Sequence, residues 1–207
     1  MFQTLILPGL NGSAEEHWQR IWAAERPGCK VVEQDNWTCP HLPTWKQRLE
    51  YELARTQSPV FILAHSLGCI LAASMADSPL ASKISGAMLV APADMEVVEW
   101  LHPCTVQMPW FPEDMLPFES LIVGSLNDPY MTVPALYRHA QQWGSRTQLI
   151  GHAGHINIAS GFGRWADGYD IFDAFRKDAL RPRVITTRQS GRSVCHPLQG
   201  VWGFDVG

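Results

Sequence analysis

Charge is scarce in this chain of 207 residues: Asp, Glu, Lys and Arg together make up 17%, and the formal net charge is −4. So mild a balance, with no basic face in its compact part, argues against a nucleic-acid partner and implies no specific cationic one. Long apolar runs are missing as well. The longest fall far below the ~20 residues of a membrane span, and no basic stretch introduces an apolar leader. The expectation is a soluble, cytoplasmic protein with no membrane association. Paired cysteines are absent too: Cys29, Cys39, Cys69, Cys104 and Cys195 are odd in number, widely spaced and contain no C-x-x-C. That pattern points away from a disulfide framework or structural zinc and toward free thiols in a reducing compartment. Neither G-x-G-x-x-G nor G-x-x-x-x-G-K occurs, which removes a phosphate-binding reading. No metal and no cofactor is expected.

What is present is apolar and aromatic. Hydrophobic residues make up 46%, with nine Trp and fifteen Pro, enough to bury a substantial core between ordered loops. Over 1–178 strand and helix signals alternate. Strands are expected at 3–7, weakly at 29–34, and at 59–64, 85–91, 119–124 and 147–150. The run P-V-F-I-L-A at 59–64 has the continuous apolar character of a strand buried on both faces. Helices are expected after Ser13, with Glu16 completing a capping box, and at 44–56, from just after Ser66 through Met75, at 133–143 and at 165–177. Such alternation predicts a three-layer α/β domain, with about six mostly parallel strands and helices on both faces. Sites in such sheets form at the carboxyl ends of the strands.

Two stretches break the alternation. Residues 92–117 hold five prolines together with Trp100, Trp110, Met95, Met108 and Met115; they read equally as a lid over the strand ends or as a packed irregular loop. Residues 179–207 carry Arg181, Arg183, Arg188 and Arg192 with no periodicity, and read as an irregular basic tail outside the domain.

The chemistry lies at the strand ends. Ala64-His65-Ser66-Leu67-Gly68 follows the third strand directly and opens a helix, a variant of G-x-S-x-G with Ala at the first position. A turn this sharp lifts a serine hydroxyl above the sheet, and it needs small residues two before and two after the serine. The Leu67 N–H is then placed as one oxyanion donor. Asp128 follows the fifth strand within Asn127-Asp128-Pro129-Tyr130, and the last strand leads to Gly151-His152-Ala153-Gly154-His155-Ile156-Asn157. The order serine, acid, histidine suits a nucleophile, its orienting carboxylate and its base. His155 is the stronger candidate for the base, and His152 is its rival. The loop Pro8-Gly9-Leu10-Asn11-Gly12-Ser13 supplies a second donor, taken as the Leu10 N–H. Asn11, His65, Trp37, Met108 and Trp110 are the candidates for pocket walls. Cys69, in the first turn of the helix, is a second nucleophile candidate, although it points into the packing.

These pieces together resemble the small serine-hydrolase family named after a human retinoblastoma-binding protein, within the α/β-hydrolase superfamily. The resemblance rests on P-G-L-N-G-S followed by His17-Trp18, on A-H-S-L-G, on N-D-P-Y and on G-H-I-N, and it covers residues 1–177. It implies a compact domain without a large cap and a triad of Ser66, Asp128 and His155. The tail departs from the family pattern. The function so implied is hydrolysis of a small carboxylic ester, amide or thioester through an acyl-enzyme on Ser66; the alternative is a non-catalytic binding protein on the same scaffold. A small acyl compound is the expected partner. No apolar helix demands a dimer, so a monomer or weak dimer is expected.

Overall fold

The computed structural model describes residues 3–57, 59–103, 105–109 and 111–181. Trp110, Cys104, Cys195 and residues 182–207, and with them most of the basic tail, lie outside the described residues. Six strands form one sheet in the order β2-β1-β3-β4-β5-β6, and every neighbouring pair is parallel. They are β1 (Gln3–Leu7), β2 (Cys29–Val31), β3 (Val60–His65), β4 (Ile84–Val90), β5 (Glu119–Gly124) and β6 (Arg146–Leu149). The α-helices are α1 (Trp18–Glu25), α2 (Leu42–Ala54), α3 (Leu67–Ala73), α4 (Met95–Leu101), α5 (Val133–Trp143) and α6 (Ala166–Ala179).

Strand period decides which side chain joins which layer. In β3, Val60, Ile62 and Ala64 enter one core with α2, α3 and α5. Phe61 and Leu63 enter the other, with Trp18 and Trp22 of α1 and Phe172 and Phe175 of α6. All six residues of β3 are buried, as a strand covered on both faces requires. No second domain caps the strand ends among the described residues.

Several boundaries differ from the sequence reading. Helix α1 starts at Trp18, later than a Ser13–Glu16 capping box would place it, and its N-cap is His17, whose ring accepts the Gln19 N–H. Ser13 instead donates its hydroxyl to Gln19 Oε1, so the buried Gln19 competes successfully for the cap serine. Helix α2 starts at Leu42, because Pro43 fits a first turn whose N–H groups have no partner anyway. Helix α3 stops at Ala73 and tightens into a 3-10 turn over Ser74–Asp77. Inside 92–117 there is an unexpected helix, α4. Asp94 caps it by accepting the Glu96 N–H, and the prolines all fall outside its span.

The tightest contact in the frame lies where α3 crosses β1. A Cβ on Gly68 would stand 2.1 Å from Leu7 O and 2.8 Å from Pro8 O. Both are backbone atoms and cannot swing aside. Gly68→Ala is therefore expected to cost at least about 3 kcal/mol, the upper part of the range for overpacking, or to prevent folding. Gly163→Ala, where the nearest atom is 3.9 Å away, should stay within about 0.5 kcal/mol. Urea unfolding of both variants checks the contrast, and equal midpoints would refute it.

Candidate active site

Ser66 sits between β3 and α3 with φ 55° and ψ −125°, a region that costs a non-glycine residue roughly 1–3 kcal/mol. Two backbone hydrogen bonds hold it there: Ser66 N–H to Val90 O at 3.1 Å and Cys69 N–H to Ser66 O at 2.9 Å. Gly9 lies against the serine, with an added Cβ falling 2.7 Å from Ser66 Cβ and 3.1 Å from Leu67 N. A side chain there would fill the space above the Leu67 N–H. In the same loop the Asn11 N–H is committed to Trp37 O and the Gly12 N–H to Gly9 O.

The structure brings Ser66, His155 and Asp128 into one line. Ser66 Oγ and His155 Nε2 are 2.9 Å apart, and His155 Nδ1 is 2.9 and 3.0 Å from the two oxygens of Asp128. A carboxylate only accepts, so Nδ1 carries the proton and Nε2 accepts from the serine hydroxyl. The Asp128 side chain is 2% exposed, and its Oδ1 also accepts the Tyr130 N–H. The rival His152 is exposed at the surface. Cys69 is fully buried and its thiol donates to Val90 O. Burial pushes the Cys69 thiol well above its usual range, the reverse of an activated thiolate.

Residues that the sequence reading did not single out hold the histidine loop. Ser125 Oγ accepts the Ala153 N–H and Asn127 Oδ1 accepts the Gly154 N–H, clipping the acid loop to the histidine loop. Trp18 Nε1–H donates to Ile156 O, and Ser160 Oγ accepts the His155 N–H. Gln19, with no exposed surface, donates to Leu7 O and Leu63 O and so ties the ends of β1 and β3 together. Only His17-Trp18 and N-D-P-Y, as conspicuous motifs, marked these clips in the sequence.

A cavity of about 400 Å³ opens above Ser66. Leu10, Asn11, His17, His65, Val98, His102, Tyr130 and Ile158 are among its walls. Residues 92–117 thus do contribute to the site, through Val98 and His102 of α4 and its C-cap. Two of the pocket-wall expectations need revision. Trp37 stands behind Gly12 and packs edge-on against Trp45 at 5.1 Å. Met108 packs on the core shared by α2, α3 and α5. Large apolar side chains gain more from that core than from a small wet pocket. His65 does line the cavity, but its Nε2–H is spent on His155 O at 2.8 Å. Among the described residues no group of three or more His, Cys, Asp and Glu is placed to hold a metal ion. Nor is any described helix long and apolar enough to cross a membrane.

Two further imidazoles surround His155. The His65 ring is 4.9 Å from His155 and 5.0 Å from His17. Burial, and then the neighbouring His155, lowers the His17 pKa to about 4. The same two causes, followed by His17 itself, push His65 well below the usual histidine range.

The model of a family described as serine hydrolase matches residues 4–174 of the chain. Among solved structures, a candidate YdeN-like hydrolase from Pectobacterium atrosepticum is similar at 30% identity and a TM-score of 0.76, covering 87% of this chain and 94% of that one. The ydeN gene product of B. subtilis superposes with a TM-score of 0.69 at 19% identity, covering 86% of this chain and all of that one. At the same identity the type II thioesterase BorB of the borrelidin biosynthetic cluster gives 0.55, over 87% of this chain and 91% of that one; the last two share the fold. No curated protein matches the chain in sequence.

The lowered His17 pKa sets a stability prediction. The unfolded chain binds a proton at an ordinary histidine pKa near 6.5, the folded one only near 4. The neutral ring's stabilisation is therefore complete above about pH 6.5 and is lost as the pH falls toward 4. Between pH 7.5 and 4.5 this one group costs about 2–3 kcal/mol, with His65 acting in the same direction. His17→Asn removes that share, so its unfolding free energy should vary less with pH than the wild type's by about that amount. Parallel pH curves in urea titrations would count against it.

Proposed function

The chain belongs to the serine hydrolase family, and from that premise we propose that it hydrolyses a small carboxylic ester, amide or thioester through an acyl-enzyme on Ser66. One observation carries the reading: the unbroken Asp128–His155–Ser66 relay, with 2.9 Å at each junction, at the floor of an open cavity. The narrower resemblance to the retinoblastoma-binding-protein type rests on the same loops.

In this reading His155 Nε2 takes the Ser66 proton as Oγ attacks the substrate carbonyl, while Asp128 holds the tautomer and stabilises the imidazolium. The carbonyl oxygen, now negative, is held by two N–H groups. Leu67 supplies one from the start of α3. Leu10 supplies the other, since the Asn11 N–H is committed to Trp37 O and the Gly12 N–H to Gly9 O. Each such donor is typically worth about 3–4 kcal/mol of transition-state stabilisation. His155 then returns its proton to the leaving oxygen, nitrogen or sulfur. Water, deprotonated by the same ring, cleaves the acyl-enzyme and regenerates Ser66. Esters are favoured over peptides because their leaving groups need less assistance. A cavity of about 400 Å³ suits a small substrate.

Labelling by a fluorophosphonate probe is the direct test. Wild type should label, and Ser66→Ala and His155→Ala should not. Asp128→Asn should lower kcat on an activated aryl ester by about 10⁴-fold, because the wrong tautomer then faces the serine. Folded wild-type protein that fails to label would turn the reading toward a non-catalytic binding protein.

A further inference from the structure

One histidine at the site has no part in the chemistry just described. His17 is 5% exposed and its Nδ1 accepts the Gln19 N–H. A neutral imidazole that accepts at Nδ1 carries its proton on Nε2. That Nε2–H has no hydrogen-bond partner among the described residues. It is not sealed away either, since Arg176 Nε is the buried side-chain nitrogen or oxygen without a partner among those residues. The ring lines the cavity that holds Ser66. A donor without a partner among the described residues is therefore carried by a ring at the wall of the space a substrate must occupy.

The surrounding wall says what it can bind. Among the described residues no Asp, Glu, Lys or Arg lines this cavity. A charged group would shed its water there without meeting a counter-charge, which is strongly unfavourable. An uncharged oxygen would shed its water and gain an N–H. Asn157 strengthens the same bias. Its Oδ1 already accepts the Ser160 N–H and hydroxyl, so its remaining polar end, Nδ2, is again a donor.

We propose that His17 is a specificity-determining residue whose Nε2–H binds an uncharged oxygen acceptor of the substrate, an ether, hydroxyl or carbonyl oxygen close to the scissile carbonyl. The proposal rests on the hydrolase reading above. It narrows the substrate class to neutral esters, amides or thioesters with a second acceptor. Purely hydrocarbon acyl compounds are disfavoured, because they would cover the His17 N–H without giving it an acceptor.

Two matched pairs of uncharged esters test it: para-nitrophenyl methoxyacetate against para-nitrophenyl butyrate, and methoxyethyl butyrate against butyl butyrate. Each exchanges one methylene for an ether oxygen, the first in the acyl part and the second in the alcohol part. After correction for reactivity toward hydroxide, wild type should prefer the ether member of at least one pair by about tenfold in kcat/KM, the effect of one buried hydrogen bond. His17→Asn keeps an acceptor for the Gln19 N–H but lacks the reach of Nε2, and the preference should fall to about one. His17→Gln, whose amide reaches further, should restore part of the preference while its Tm drops through loss of the cap. Absence of any excess preference in wild type overturns the proposal, and so does a preference that survives in folded His17→Asn. With Ser66 labelled by a fluorophosphonate, such a result sinks this proposal alone. With no labelling and no turnover of any ester, the hydrolase reading falls and takes the proposal with it.

Discussion

Ser66 is held with φ 55° between a fully buried strand and the first turn of a helix, and three strands contribute to keeping it there. Val90 at the end of β4 accepts its N–H. Leu7 at the end of β1 leaves room for nothing larger than hydrogen on Gly68. β3 itself anchors the turn through side chains in both cores. A strained residue persists only where its surroundings over-determine it, and here the central half of the sheet does so. The same closeness brings Gly9 against the serine, so the first loop reaches the Leu67 N–H at the start of α3.

The histidine loop is held by a different kind of bond. It follows β6, whose side chains are only partly buried or exposed, so apolar packing alone would position it poorly. Polar clips do it instead: Ser125, Asn127, Ser160, Trp18 and His65 each hydrogen-bond to its backbone. Being short and mutually directional, they fix the ring more tightly than apolar contacts could. His65 and His17 remain neutral beside His155, and burial is the larger cause for both. A proton taken up by His155 therefore meets dipoles and the Asp128 carboxylate, with no second positive charge nearby.

Much of the fold was legible because its signals are local. The apolar runs of β3, β4 and β5 and the helix starting after Ser66 follow from side-chain pattern and chain stiffness. The six strands and their common direction follow from the alternation with helices. Helix α4 was hidden by the prolines around it, and the start of α1 by a serine whose hydroxyl prefers Gln19. Trp37 and Met108 looked like pocket walls because an aromatic or a methionine in a loop carries no mark of which layer it will join. Packing assigned both to the core.

The sequence by itself determined the small residues around Ser66, the order of serine, acid and histidine, and their placement after the third, fifth and last strands. These depend on backbone sterics and on strand direction, which act over a few residues. Only the tertiary structure decided that His155 rather than His152 meets Ser66, that His65 is spent on a carbonyl while the His17 Nε2–H has no partner among the described residues, and that Cys69 is sealed against Val90. Those outcomes depend on which groups share a buried volume across gaps of up to ninety residues. In such a volume a hydrogen bond given to one partner is withheld from every other, and nothing local in the chain records that choice.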